Sequence, residues 1–218
     1  MRTLIKKELR LCLHPSVFLF FAFSALVFAP NYPYEVIFFF SALSVYFCCL
    51  SARENGDLPF TCALPVRKAR VPLARILVAT GIQCAMLALT GALGAVKEAV
   101  FPDGPLLNRA GISANLALVG NGAVILGVFN LLFFPLLYRS PERVGVPFLL
   151  AAAAQFLLVG LFLLLRWCTP LFSVTLNGSN AEHTAAKVAA LFIGLAAYAA
   201  MTALSCFLSM RNFKKVDL

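Results

Sequence analysis

Charge is what this sequence has least of. Asp and Glu together supply nine of its 218 residues, and the four charged types make up only 12% of the chain. A soluble domain needs roughly twice that share, about 25%, to cover its core, so a water-soluble globular fold is excluded at the outset. Histidine is almost missing: His14 and His183 are the two present, and they are expected on opposite sides of a membrane. The seven cysteines, Cys12, Cys48, Cys49, Cys62, Cys84, Cys168 and Cys206, are odd in number and contain no Cys-x-x-Cys pair. That pattern supports neither a disulfide framework nor a metal site, and leaves the thiols as small apolar filler.

Catalytic motifs are also missing. There is no Gly-x-x-x-x-Gly-Lys-Ser/Thr loop to cradle phosphates, no His-Glu-x-x-His and no Gly-x-Ser-x-Gly. Gly120-Asn121-Gly122 begins like a dinucleotide fingerprint, but Ile125 stands where the third glycine is needed. The polar residues at mid-span of the long apolar blocks are neutral: Gln83, Thr90, Asn115, Asn121, Asn130, Gln155 and Thr202. An intramembrane enzyme, ion relay or proton pump needs ionisable groups at depth. No catalytic residue, bound metal or cofactor is therefore expected on this chain.

What is present is hydrophobic sequence, 61% of the chain, with a mean hydropathy of +0.91. A bilayer core about 30 Å thick takes roughly 20 helical residues. Six apolar blocks are read as spans: 15–29, 36–50, 71–96, 112–137, 146–165 and 187–210. The first two are short and Pro30 and Pro33 lie between them, which leaves a re-entrant hairpin as the alternative. Two spans are expected, because Tyr32 and Tyr34 suit the far interface and tilt can extend each helix. The expected fold is all-α: one transmembrane domain over residues 1–218 with six transmembrane helices.

The charge asymmetry is an independent guide to topology. With the N-terminus inside, the cytoplasmic segments hold Arg2, Lys6, Lys7, Arg10, Arg53, Arg67, Lys68, Arg70, Arg75, Arg139, Arg143, Arg211, Lys214 and Lys215, which is 14 of the 18 basic residues. Lys97, Arg109, Arg166 and Lys187 remain outside. This obeys the positive-inside rule at every cytoplasmic segment and places both termini in the cytoplasm. The net charge of +9 then belongs to anionic lipid: it is divided among helix ends instead of forming one face with interleaved aromatics, so no nucleic-acid partner is expected. With no small-residue cleavage site after the basic N-terminus, the first span is expected to serve as its own insertion signal.

Three stretches carry more than topology. In residues 1–14, Met1, Leu4, Ile5, Leu9, Cys12 and Leu13 group on one side of a helical wheel and Lys6, Lys7 and Arg10 on the other, the pattern of an interfacial amphipathic helix. It suits a lipid-surface anchor or a docking surface for a cytoplasmic partner. Residues 51–70 form the longest and most charged cytoplasmic connection, with Glu54 and Asp57 before a short apolar stretch of Leu58, Phe60 and Leu64, and basic residues after Pro65. A short helix on the membrane face is expected there, apolar side chains inward and charges outward. In the fourth block, Asn115, Asn121 and Asn130 alternate with Gly120, Gly122 and Gly127, which implies a helix lining a pathway or an interface instead of facing only lipid. Residues 166–186 are read as an extracytoplasmic loop.

The run Arg53-Glu54-Asn55-Gly56-Asp57, followed by Ala63-Leu64-Pro65-Val66-Arg67-Lys68 and a basic approach to the third span, resembles the ABC-2 type permeases, the membrane subunits of bacterial ABC exporters. It is similar to small six-span members in which an acidic stretch precedes a Ser-Leu-Pro-Val-Ser/Thr-Arg motif. Ala63 stands in place of the serine, and Arg67 arrives one residue early. The resemblance implies that the 51–70 segment is the coupling element seated on a separate ATPase subunit, with Glu54, Asp57, Leu64, Pro65 and Arg67 as transmission residues and the N-terminal helix beside it. It further implies that ATP and Mg are bound only by that partner, and that a second permease chain, identical or a paralogue, completes the pathway. Export of an amphipathic or hydrophobic peptide, lipid or drug across a bacterial cytoplasmic membrane follows from the same resemblance. The alternatives are a secondary transporter or channel, which lacks here the intramembrane charges and internal repeat it would need, and a membrane anchor or sensor.

Overall fold

The computed structural model describes residues 2–63, 66–101, 108 and 110–216, and every regular element among them is helical. In hydrocarbon each backbone N–H and C=O must be paired within the protein, and a helix pairs them inside one segment. The elements are α1 (Arg2–Lys7) running into a π-helical turn (Glu8–Cys12), α2 (Ser16–Ala22) running into a 3₁₀ segment (Phe23–Phe28), α3 (Ile37–Glu54), α4 (Asp57–Ala63), α5 (Arg70–Val100), α6 (Leu116–Leu137), α7 (Gly145–Cys168) and α8 (Thr184–Phe213). Three prolines stand where helices begin: Pro59, Pro72 and Pro147 lie in the first turn of α4, α5 and α7, where the missing N–H had no intrahelical acceptor.

Five stretches are long and apolar enough to cross a membrane: Tyr34–Glu54, Arg70–Val100, Leu116–Leu137, Gly145–Cys168 and Thr184–Phe213. A sixth depends on Thr3–Cys12 and Ser16–Phe28, which are bent by 79° at the break between them. At about 1.5 Å per α residue and about 2.0 Å per 3₁₀ residue, α2 and its continuation reach only about 22 Å of a core about 30 Å thick. Even so, the segment does not turn back midway. His14 N donates to Cys48 Sγ near one end of α3 at 3.4 Å, Ser24 Oγ meets Met86 Sδ at 3.2 Å, and Val27 O accepts from Lys97 Nζ near the far end of α5 at 2.9 Å.

Tyr34 departs from its expected place. It is fully buried, accepting from Lys97 Nζ at 2.6 Å and donating to Ala29 O at 3.1 Å. Lys97 explains this: an ammonium near the end of a span needs partners, and the tyrosine hydroxyl is one.

The connections alternate between two ends of the bundle. At one end Lys68 Nζ donates to Val216 O at 3.2 Å and Arg53 Nη1 to Glu142 O at 3.3 Å. This end gathers α1, α4, the α6–α7 connection and the end of α8, and with them most of the basic residues; it is called the basic end below. At the opposite end Asn108 Nδ2 donates to Tyr32 O at 2.8 Å, Arg166 Nη2 to Asn108 O at 2.9 Å, and Asn180 N and Nδ2 both donate to the Glu98 carboxylate at 2.6 and 2.5 Å.

α6 is the central helix. Its most apolar window is 67% buried, against 22% for α7 and for α8. Glycine lets it approach α8 closely: a Cβ on Gly120 would lie 2.5 Å from Ala190 O, and one on Gly194 would run into the Gly120 backbone. Small residues at such crossings replace the hydrophobic drive that lipid does not supply.

Candidate functional site

The basic end contains a buried cluster of four charges drawn from three separate segments. Lys7 at the end of α1 donates through Nζ to Asp57 Oδ1 at 2.7 Å, Asp57 Oδ2 at 2.9 Å and Thr61 Oγ1 at 2.8 Å, and sits 3.0 Å from Glu8 Oε1. Arg75, just inside α5, donates through Nε to Glu8 Oε2 at 3.0 Å and through Nη2 to Glu8 Oε1 at 3.3 Å and Asp57 Oδ2 at 2.6 Å. Thr61 completes the set by donating to Asp57 O at 2.7 Å. Two cations face two carboxylates, so the cluster is neutral as a whole, and all four side chains are 12% exposed or less.

Local chain geometry brings these groups together. α3 ends in a tight reversal in which Asn55 N donates to Ser51 O and Gly56 N to Arg53 O, with Gly56 at φ +61°. Glycine takes that left-handed turn without steric cost. The reversal starts α4 at Asp57 and aims its first turn back at α1 and α5. Buried ion pairs contribute little net stability over apolar packing but leave a costly charge if one partner is removed. Here they specify how α1, α4 and α5 sit against one another.

The expected transmission residues separate in space. Asp57 lies inside the cluster, whereas Glu54 is exposed beside Arg53, whose Nη2 is 3.8 Å from it, and Arg67 is exposed. Leu64 and Pro65 lie outside the described residues. Lys6 in α1 and Arg10 in the π turn are exposed while Lys7 turns inward, so the expected grouping of the three does not hold. The π turn over Glu8–Cys12 adds a residue to the local period, and Asp57 draws Lys7 to the buried side; Leu9, expected on the apolar face, is 48% exposed. α4 departs from the expected pattern at two residues: Leu58 is buried as expected, but Asp57 is buried as well and Phe60 points out. Glu8, Thr61 and the pairing of Arg75 went unread in the sequence. One signal was available: Arg75 is a lone charge at the head of an otherwise uncharged apolar run, and such a residue calls for a partner.

Midway through the bundle a neutral network joins α5, α6 and α8. Gln83 and Asn130 exchange two amide hydrogen bonds at 2.8 Å, Asn130 Nδ2 also donates to Thr202 Oγ1 at 3.0 Å, Tyr198 OH donates to Gln83 Oε1 at 2.7 Å, and Ser205 Oγ donates to Asn130 O at 2.5 Å. Asn115 is not within its span. It is the N-cap of α6, accepting from Leu118 N at 3.1 Å and donating to Leu176 O at 2.8 Å and Gly178 O at 3.1 Å.

Asn121 is different, because its buried Nδ2 has no hydrogen-bond partner, and in α7 neither polar atom of the buried Gln155 has one. An unpaired buried amide costs about 1–3 kcal/mol. Gln155→Leu is therefore expected to leave thermal stability in detergent unchanged or raised. If the amide serves transport, the same variant loses transport activity without losing folded protein, and a fall in melting temperature would show that Gln155 is instead paired.

Glu8, Cys12 and Asp57 bring ligand atoms within 4.8 Å of one another. A cation would have to displace Lys7 and Arg75, which already neutralise both carboxylates, so the residues present do not fit a metal centre.

A family model described as ABC-2 family transporter protein matches residues 3–214, nearly the whole chain. No curated protein and no solved structure matches.

Proposed function

The chain belongs to the ABC-2 family of transporter proteins, and from that premise we propose that it is the permease subunit of an ABC exporter, driven by ATP hydrolysis on a separate ATPase subunit. Family membership makes it a multi-pass membrane subunit without a nucleotide site of its own. The finer reading adds a second permease chain, a bacterial cytoplasmic membrane with both termini and the basic end inside, and outward movement of an amphipathic or hydrophobic peptide, lipid or drug. The distribution of basic residues supports that orientation.

The buried ionic cluster carries the mechanism. A short cytoplasmic segment can drive a transmembrane helix only if the two move as one. Here Asp57 of α4 is held by Arg75 of α5 and Lys7 of α1 in the same set of hydrogen bonds. A push on α4 from an ATPase is then delivered to α5, which at 31 residues is the longest helix among the described residues, and to the N-terminal helix together. Glu54, exposed at the end of α3, and Arg67, exposed just before α5, flank α4 and serve as contacts to the ATPase. Leu64 and Pro65 are assigned the same role by family resemblance alone.

The test is purification of the tagged chain from its native membrane in mild detergent, with the bound proteins identified by mass spectrometry. The expected partner carries a Gly-x-x-x-x-Gly-Lys-Ser/Thr loop. Glu54→Lys, which alters an exposed side chain, is expected to reduce export about tenfold, equivalent to about 1.4 kcal/mol of coupling, with the melting temperature unchanged. Recovery of no such ATPase, together with intact export by the variant, would refute the assignment.

A further inference from the structure

We propose that Asn177 is a self-modification site: its side-chain amide closes on Gly178 N to a succinimide, and water opens that ring to aspartate or isoaspartate. The site lies at the end opposite the basic end, in the connection from α7 to α8, and it stands independently of the permease reading above. Three Asn-Gly pairs occur in the chain, Asn55-Gly56, Asn121-Gly122 and Asn177-Gly178. Glycine after asparagine leaves the attacking amide nitrogen uncrowded, so each pair has the composition for this reaction. The fold decides which has the geometry.

Three features single out Asn177. First, Ser113 N and Ser113 Oγ both donate to Asn177 Oδ1, at 3.0 and 2.8 Å. A backbone N–H can only donate, which fixes the amide with its oxygen toward Ser113. Two donors on one carbonyl oxygen polarise Cγ and stabilise the negative charge that gathers on the oxygen under attack, as an oxyanion hole does. Second, nucleophile and leaving group are uncommitted: among the described residues Gly178 N and Asn177 Nδ2 make no hydrogen bond. Third, Glu182 Oε2 lies 2.8 Å from the position a Cβ on Gly178 would take, and Glu182 N closes the turn beside it by donating to Ser179 O at 3.2 Å. That carboxylate can receive the Gly178 N–H proton directly or through one water. The other pairs are occupied. Gly56 N donates to Arg53 O at 3.1 Å, and Gly122 lies inside α6, where its N–H belongs to the helical ladder.

In the first step Gly178 N bonds to Asn177 Cγ as the Cγ–Nδ2 bond breaks, and the Gly178 N–H proton is returned to Nδ2, which leaves as ammonia. Water then adds to Cγ, giving aspartate, or to the Asn177 main-chain carbonyl carbon, giving isoaspartate with its main chain rerouted through Cβ and Cγ. Asn115 Nδ2 donates to Leu176 O and to Gly178 O at 2.8 and 3.1 Å, one on each side of residue 177. An extra main-chain atom between those two carbonyls pulls them out of register with one amide, so isoaspartate loosens this connection from the N-cap of α6.

The experiment incubates the purified full chain in detergent at mildly alkaline pH and follows residues 55, 121 and 177 by peptide mapping with electron-transfer fragmentation, which separates isoaspartate from aspartate. The expected result is conversion at Asn177 about tenfold or more faster than at Asn55 or Asn121 in the folded chain, with the difference lost in denaturant. Ser113→Ala removes one donor and Glu182→Gln the base. Each is expected to slow the conversion about tenfold, less than the loss that follows removal of a preorganised oxyanion donor from an enzyme. Glu182 is exposed, so its variant reads the chemistry even where Ser113→Ala disturbs the packing of the connection. Equal conversion at Asn55 and Asn177 in the folded chain overturns the proposal, as does a native rate in Glu182→Gln. A difference that persists in denaturant also overturns it, by placing the reactivity in the local sequence instead of the fold.

Discussion

Arg75→Met is expected to destabilise the protein by about 3–5 kcal/mol, the cost of leaving buried carboxylates without their cation. In the native chain the guanidinium answers both Glu8 and Asp57. Methionine matches its length and apolar stem but leaves Lys7 alone against two acids. Arg75→Lys is expected to fall between, because an ammonium cannot span Glu8 and Asp57 as the planar fork does. Thermal unfolding in detergent measures the loss, and a double-mutant cycle isolates its origin: Glu8→Gln should recover part of the loss in the Arg75→Met background and none in the native one. Equal effects in both backgrounds would mean that the pair is not coupled. Export provides a second readout. If the cluster ties α4 to α5, variants that still fold should retain ATP hydrolysis in the complex while losing transport, since the push is generated but not delivered.

Gly120→Val and Gly194→Val are expected to cost about 3 kcal/mol or more, the upper part of the range for overpacking. The atoms in the way are backbone, Ala190 O at 2.5 Å and Leu191 Cα at 3.0 Å from a Cβ on Gly120, and the Gly120 backbone itself for Gly194. No rotamer change removes such a clash, so α6 and α8 must separate. That separation would pull apart Asn130 and Thr202, 3.0 Å apart in the intact bundle. The internal control is Gly160, which has open space around its missing Cβ, and Gly160→Val should melt as the native protein does. If Gly120→Val behaves like Gly160→Val, the close crossing of α6 and α8 is wrong.

The sites where sequence reasoning and structure part company share a cause. The helical wheel placed Lys7 with Lys6 and Arg10, yet Lys7 is 50 residues from the Asp57 that captures it, and no local period encodes a partner so distant. Asp57 and Phe60 exchanged their expected faces for the same reason: apolar-in, charge-out holds for a helix on an apolar surface, but α4 packs on an arginine. Asn115 was legible and misplaced. An Asn directly before the apolar run from Leu116 is a helix-cap signal, but hydropathy alone does not mark where a helix starts. Asn121 and Asn130, alike in composition, have opposite surroundings, one with an unpartnered Nδ2 and the other fully engaged.

What the sequence determined by itself is the membrane character, the positions of the long helices and the crowding of basic residues at one end. These follow from transfer free energies that add along the chain and need no knowledge of what lies opposite. Which charges are paired, which glycines meet a neighbouring backbone, and which face of α4 looks outward were decided only by the tertiary structure. Each of those depends on the mutual placement of segments tens of residues apart, and such pairings leave no periodic trace in the segments themselves.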